Sequence, residues 1–182
     1  RGGLRLQAAA IAAAVALSIL GLLAWPAMRR EIQSGYELDD DRDRMDVDAI
    51  HDYLSNQAYW ALGRSRETVQ LLLSTAYRVV GLFHHGRQVG FCRAISDGAV
   101  HAYLADVYVL DEHRGKGLGV AMVQEMVEGG GLAEARWMLH TRDAQTLYHR
   151  FGFGPASERV MERPAGGVPA LRAATSDHAS SG

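Results

Sequence analysis

The sequence is short of three features that mark particular classes of protein. It has one cysteine among 182 residues, Cys92, which excludes an internal disulfide and any metal cluster built on cysteine thiolates. It has no excess of basic charge: 19 Lys and Arg against 21 Asp and Glu give a net charge of −2, whereas general nucleic-acid-binding proteins are usually strongly basic. Its eight histidines show no third ligand at metal-site spacing. We therefore predict no nucleic-acid partner and no bound metal.

The first thirty residues differ in composition from the rest. They carry four arginines and no acid, and the stretch 8–25 has Ser18 as its one polar side chain. A run of this length lies near the lower limit for crossing a bilayer. Three interpretations stay open: a membrane anchor, a signal-like segment, and an extension that takes no part in the working protein. We exclude residues 1–30 from the fold prediction and assign the folded domain to residues 31–163.

Two further segments have biased composition. Residues 31–52 hold nine acids and two arginines, which indicates either a solvated strand and helix start or an acidic rim that attracts a cationic amine. Residues 164–182 are rich in Ala, Gly and Ser, and we predict that this tail is disordered.

Hydrophobic periodicity between residues 35 and 163 predicts the order β-α-α-β-β-β-α-β-α-β. The predicted strands are 36–38, 77–84, 89–95, 100–110, 137–141 and a last one formed by 153 and 158–162; the predicted helices are 47–56 with Asp46 as N-cap, 66–76 with Ser65 as N-cap, 117–128 and 143–151. An antiparallel meander that leads into a βαβ unit predicts an α/β protein whose sheet is mixed, mostly antiparallel and covered by helices on both faces.

The chemistry is concentrated where strand 100–110 leads into helix 117–128. The connection contains Arg114, Lys116 and three glycines at 115, 117 and 119. Glycines allow backbone N–H groups to converge, and a helix N-terminus favours an anion, so the loop is typical of a phosphate or pyrophosphate site. The spacing does not match the P-loop, which needs Gly-Lys-Ser/Thr, nor the dinucleotide pattern G-x-G-x-x-G.

The pattern Arg114-x-x-Gly117-x-Gly119 resembles the acetyl-CoA pyrophosphate loop of the GNAT N-acetyltransferase superfamily. A second block, Leu147-Tyr148-His149-Arg150-Phe151-Gly152-Phe153, is similar to the late L-Y-x-x-x-G-F block of that family. One helix and one strand separate the blocks, as the family requires. The likeness covers about residues 36–162 and favours a small stand-alone bacterial type.

The resemblance implies how acetyl-CoA is bound as a co-substrate. Backbone N–H groups of residues 115–119 would hold the pyrophosphate, and a bulged strand beside a central V-shaped splay would open the slot for the pantetheine arm. The implied cofactor-binding residues are Val107, Tyr108 and Val109 on the strand, and Arg114, Gly115, Lys116, Gly117, Leu118 and Gly119 in the loop and helix start.

The resemblance also implies direct transfer of the acetyl group to an amine in a ternary complex. Tyr148 matches the general-acid tyrosine of the family, and a backbone N–H near Val107 or Tyr108 would stabilise the oxyanion. Asp106 stands in an apolar strand, where an unpaired carboxylate is costly. Two roles stay open for Asp106: a base or ammonium ligand with a raised pKa, and a structural partner of a buried donor such as Arg142.

Four residues are candidates for binding the acceptor. Tyr103 falls where some family members carry a catalytic Glu, which indicates a water relay or another carboxylate as the base. Asp143 is either a helix N-cap or a substrate ligand. Tyr59 and Trp60 lie between the first two helices, where aromatic rings would suit an amine or pack in the core.

We therefore predict an N-acetyltransferase acting on a small-molecule or protein amine. Two alternatives are a non-catalytic CoA-binding regulatory module and a membrane-associated interaction protein in which residues 8–25 do the main work. We expect a cytoplasmic catalytic domain, anchored at a membrane if residues 8–25 form an anchor. Since small GNAT enzymes are often dimers, a homodimer is also expected.

Overall fold

The computed structural model describes residues 27–163 and contains one six-stranded sheet. The strands are β1 (Arg29–Gln33), β2 (Tyr36–Asp39), β3 (Arg78–His84), β4 (Arg87–Ser96), β5 (His101–Val109) and β6 (Arg136–Met138), and the α-helices are α1 (Val47–Asn56), α2 (Arg66–Thr75), α3 (Leu118–Glu128) and α4 (Gln145–His149). The strands are ordered β1-β2-β3-β4-β5-β6, and every neighbouring pair is antiparallel except the parallel pair β5 and β6. The predicted mixed, mostly antiparallel sheet is confirmed.

Two helices begin at the residues that local capping chemistry indicates. The Asp46 carboxylate accepts hydrogen bonds from the N–H groups of Asp48 and Ala49, each at 3.0 Å, and starts α1. The Ser65 hydroxyl accepts from the N–H of Thr68 at 3.2 Å and starts α2. These bonds satisfy N–H groups that have no partner inside the helix.

Helices cover both faces of the sheet, and each face has its own core. Helix α3 and Tyr148 of α4 pack on one face, where Met122 and Met126 are fully buried. Helices α1 and α2 pack on the other face through residues such as Ile50 and Val69. Helices on both faces were predicted, and the two clusters confirm them.

The ends of the described range differ from the prediction. Strand β1 starts at Arg29, two residues before the predicted domain boundary, and the Arg30 guanidinium contacts the Glu125 carboxylate at 2.9 Å. No strand forms at 153–163, because residues 158–162 are exposed and bury no apolar face. Segments 8–25 and 164–182 lie outside the described residues. Within residues 27–163, no helix is both long and apolar enough to cross a bilayer.

Candidate active site

The site lies where β5 and β6 separate. The two strands pair at three positions, the last being Tyr103 with Met138. Strand β5 continues to Val109, whereas β6 ends at Met138. The gap between the strands is part of a cavity of about 810 Å³, which is lined by residues from both faces of the sheet, including Tyr148 and Trp60. The separation forms the V-shaped splay expected from the resemblance.

A β-bulge interrupts β5 beside the cavity. Arg93 pairs with Ala105 and Phe91 pairs with Tyr108, so Cys92 alone stands opposite both Asp106 and Val107. Asp106 has a φ of 53°, in the left-handed region that few residues other than glycine adopt. A bulge re-aims the backbone and side chains at the point where it occurs. Here it places Asp106 and the following backbone at the cavity wall.

The glycine loop has the geometry of an anion cradle. Gly115 and Gly117 have φ values of 77° and 76°, and no heavy atom lies within 4 Å of an ideal Cβ at either position. Gly117 is the N-cap of α3 and brings no side chain to the helix start. Left-handed glycines ahead of a helix N-terminus turn successive N–H groups toward one point and favour a bound phosphate. The loop therefore fits the pyrophosphate of acetyl-CoA.

Arg114 ties the loop to its surroundings. Its Nε donates to the Val109 carbonyl at 2.9 Å, and its Nη2 donates to the Tyr53 hydroxyl of α1 at 2.9 Å. Its Nη1 contacts the Asp111 carboxylate at 2.8 Å. These contacts hold the guanidinium at the cavity wall, where it would add positive charge beside a phosphate.

The side chain of Lys116 points away from the cavity. Its Nζ donates to the Tyr36 hydroxyl at 2.9 Å, and its carbonyl accepts from Gln33 Nε2 at 2.9 Å. Its ammonium also lies 5.3 Å from the centre of the Tyr36 ring. Lys116, one of the implied cofactor-binding residues, therefore brings no side chain to the cavity lining, because residues of β1 and β2 hold it from the other side.

Tyr148 is buried at the cavity wall. It is 7% exposed and lines the cavity. Burial raises its pKa to about 12, so the hydroxyl keeps its proton at neutral pH. The short helix α4 carries it, and the Phe151 N–H donates to the Tyr148 carbonyl at 2.9 Å in the turn that follows.

Asp106 is the centre of a buried ion-pair network. Its Oδ2 accepts from Arg93 Nε at 2.6 Å, and its Oδ1 accepts from Arg64 Nη1 at 2.9 Å and Trp60 Nε1 at 3.2 Å. Burial alone would raise its pKa, but the two guanidiniums outweigh burial and hold the pKa below its usual value. Of the two roles left open for Asp106, these contacts favour the structural partner of a buried donor, and the donors are Arg93 and Arg64 rather than Arg142; the raised pKa of the other alternative is wrong.

Tyr59 and Trp60 form part of one wall of the cavity. Their rings meet edge to face, with centroids 4.9 Å apart. The Tyr59 hydroxyl accepts from the Arg142 N–H at 2.9 Å, and the Arg142 guanidinium stacks 3.8 Å from the Tyr59 ring centre. Asp143 lies 3.7 Å from Arg142 and does not cap α4, which begins after Ala144 without a side-chain cap.

The structure also places a histidine beside Tyr103 that sequence analysis did not single out. The Tyr103 hydroxyl lies 2.7 Å from His140 Nδ1, and His140 Nε2 lies 3.5 Å from the Glu162 carboxylate. Both Tyr103 and His140 line the cavity. No local motif joins residues 37 positions apart in the chain, so the sequence offered no signal for this contact.

The acidic segment 31–52 does not form a rim around the cavity. Glu37 and Asp39 contact Arg44, and Asp40 contacts Arg78. Asp46 caps α1. No residue of the segment lines the cavity, so the interpretation of an acidic rim that attracts a cationic amine is wrong.

Comparisons with known proteins bear on the family and the fold of this chain. The family model for the acetyltransferase (GNAT) domain matches residues 75–155. A candidate acetyltransferase of Gibberella zeae is 36% identical over 104 residues, which are 56% of this chain. The match spans 58% of the length of that curated relative.

Two solved structures extend the likeness across the domain. A candidate acetyltransferase of the GNAT family from Xanthomonas campestris pv. campestris is 38% identical, with a TM-score of 0.67 and coverage of 73% of this chain and 95% of that chain. A candidate acetyltransferase from Deinococcus radiodurans R1 is 22% identical, with a TM-score of 0.57 and coverage of 75% of this chain and 94% of that chain. The second likeness concerns the fold alone.

Proposed function

The chain belongs to the GNAT family of acetyltransferases, and on that premise we propose that it moves an acetyl group from acetyl-CoA to a primary amine by direct attack. One observation carries the proposal: a single cavity runs from Gly115 and Gly117, past the bulge of β5, to Tyr148 and the aromatic wall of Tyr59 and Trp60. The acceptor is an amine of a small molecule or of a protein.

Binding of acetyl-CoA would use the loop and the free edge of β5. The N–H groups of residues 115–119 would hold the pyrophosphate, with Arg114 beside it. The pantetheine arm would lie against Val107, Tyr108 and Val109 as an added strand, because β6 ends before it reaches this part of β5. Such pairing satisfies backbone groups that the splay leaves without a partner strand.

The chain's own groups would serve the chemistry as follows. Acetyl-CoA supplies an acetyl group activated as a thioester. A backbone N–H at Val107 or Tyr108 would donate to the carbonyl oxygen as negative charge develops there. The amine nitrogen forms the new C–N bond as the C–S bond breaks, the Tyr148 hydroxyl gives its proton to the departing sulfur, and Tyr148 regains a proton from water after CoA leaves.

We propose that Tyr103 and His140 together remove the proton from the attacking amine. The Tyr103 hydroxyl would accept that proton and pass its own to His140 Nδ1, 2.7 Å away. Imidazole is the side chain that exchanges protons near neutral pH, and the exposed ring of His140 can release the proton to water. Asp106 then has a positioning role, because its oxygens hold Arg93, Arg64 and Trp60.

Calorimetric titration of acetyl-CoA into the full chain, followed by a thiol-release assay with a panel of primary amines, tests the proposal. We expect micromolar binding and CoA release that depends on an amine. Binding with no acetylation of any amine or protein substrate would favour the regulatory-module hypothesis. A folded protein that does not bind acetyl-CoA would refute the assignment of the loop.

A further inference from the structure

The end of the cavity beside Tyr59 and Trp60, where the proposed acceptor binds, has more arginine than carboxylate side chains. Its walls carry Arg64, Arg93 and Arg142, and its acids are Asp106 and Asp143. Both acids already have arginine partners, since Asp143 lies 3.7 Å from Arg142 and Asp106 binds the other two. Two arginines therefore share one carboxylate.

The two arginines that share Asp106 are largely removed from water. The side chains of Arg93 and Arg64 are 8% and 19% exposed. Within residues 27–163, Arg93 donates its hydrogen bond through Nε, and neither of its Nη groups donates to a protein atom. A guanidinium in this position is stabilised by an oxyanion, which accepts two of its N–H bonds at once.

This positive charge is separate from the pyrophosphate loop. Asp106 and its arginines lie at the bulge, whereas the loop begins after Val109 at the end of β5. A strand rises about 3.4 Å per residue, so the two regions are about 10 Å apart along β5. The arginine pair therefore lies beside Trp60 of the aromatic wall and away from the loop that would hold the phosphates of acetyl-CoA.

We propose that the acceptor is a primary amine that also carries an oxyanion, a carboxylate or a phosphate, bound by Arg93 and Arg64. The inference rests on the proposed acetyl transfer and adds the substrate class. A second ammonium group on the acceptor finds no carboxylate free of arginine among the described lining residues, and it meets repulsion from the arginine pair. The anionic group thus orients the molecule and selects against polyamines.

Matched amines test the proposal on the full chain. Butylamine, 4-aminobutanoate and 1,4-diaminobutane share four carbons and differ in the charge at the far end; phenethylamine and phenylalanine form a second pair, and 3-aminopropyl phosphate tests phosphate against carboxylate. Binding is measured by calorimetry on CoA-saturated protein, where no transfer occurs, and kcat/KM is measured with acetyl-CoA. We expect the anionic amines to exceed their neutral partners by about 10-fold or more in both, and the diamine to rank last.

Two variants test whether Arg64 causes the preference for anionic amines. Arg64→Gln should reduce the anionic preference to about 2-fold with little change in acetyl-CoA affinity. Arg66→Gln is the matched control, since Arg66 is exposed, pairs with Asp48 and lies off the cavity. The substrate class is overturned if neutral and anionic amines are used equally or if the diamine is preferred. It is also overturned if protein that binds acetyl-CoA binds none of the amines. Failure to bind acetyl-CoA instead overturns the proposed function.

Discussion

Arg93 Nε of β4 donates to Asp106 Oδ2, in the bulge of the neighbouring strand β5, at 2.6 Å. Arg66 Nε contacts Asp48 Oδ1 at the same distance on the surface, where the Asp48 side chain is 75% exposed. The two pairs thus share geometry and differ in burial. Removing one partner of a buried pair leaves a charge with neither water nor counterion, so the buried pair is the costly one to break.

Asp106→Asn should lower the free energy of unfolding by about 3 kcal/mol, because two arginines lose their counterion. The matched change Asp48→Asn should have no measurable effect. Because the pKa of Asp106 is lowered in the folded state, its carboxylate stabilises the fold fully above the ordinary value of 3.8 and less as pH falls through the folded value. Urea unfolding across pH 2–7 should show the difference between wild type and Asp106→Asn constant above about pH 5 and shrinking at lower pH. A constant difference down to pH 2 would contradict this.

Gly117→Glu should weaken acetyl-CoA binding by about 100-fold, since it brings a side chain and a negative charge to the cradle. Gly86 is a matched control: its φ is 82° and its Cβ position is also open. Gly86→Glu therefore carries the same left-handed strain without touching the cavity. Calorimetry on both variants separates strain from loss of the phosphate site. Equal affinities would remove the loop as the pyrophosphate site.

Lys116→Met should change acetyl-CoA affinity by less than about 3-fold, whereas Arg114→Met should weaken it by about 10-fold. The two side chains point in different directions, since Lys116 donates to Tyr36 and Arg114 lines the cavity. Titration of both variants measures the contrast. A large loss in Lys116→Met would show that its ammonium turns toward the phosphates when acetyl-CoA binds.

Tyr148→Phe should lower kcat by about 100-fold and leave acetyl-CoA affinity within about 2-fold, since the hydroxyl acts on the leaving sulfur. Tyr77→Phe is the control, because Tyr77 is 46% exposed and lies outside the cavity lining. Steady-state rates give kcat, and calorimetry gives the affinity for acetyl-CoA. A variant with wild-type kcat would leave the sulfur to be protonated by water.

His140→Gln should lower kcat by about 10-fold, because the Tyr103 hydroxyl loses the partner to which it passes its proton. Tyr103→Phe should lower kcat by about 30-fold by breaking the relay. His101→Gln, an exposed histidine on the same strand, is the control. Steady-state rates check these variants, and a wild-type kcat in His140→Gln would point to another proton acceptor.

Much of the fold could be predicted because its signals are local. Asp46 and Ser65 cap helices through N–H groups two or three residues away. The loop at residues 114–119 likewise uses its own glycines. Strand β1 lacks such a signal, since most of its residues are exposed and its position comes from pairing with β2.

The parts of the site that could not be predicted depend on contacts between distant residues. Asp106 lies 13 residues from Arg93 and 42 from Arg64, so the sequence showed a carboxylate in an apolar strand without its partners. Lys116 has a basic side chain in a glycine loop, and only Tyr36, 80 residues away, shows where it points. Local chemistry gave the residue types, and three-dimensional contacts decided their roles.

Strand β1 also determines where the described chain enters the sheet. The Met28 N–H donates to Asp40 Oδ1 at 2.6 Å, and the Asp40 N–H donates to the Met28 carbonyl at 3.0 Å, so the chain is fastened at its entry into the sheet. This entry lies on the edge strand, four strand spacings from β5, or about 19 Å. The entry of the chain into the sheet and the gap between β5 and β6 thus lie at opposite edges of the sheet.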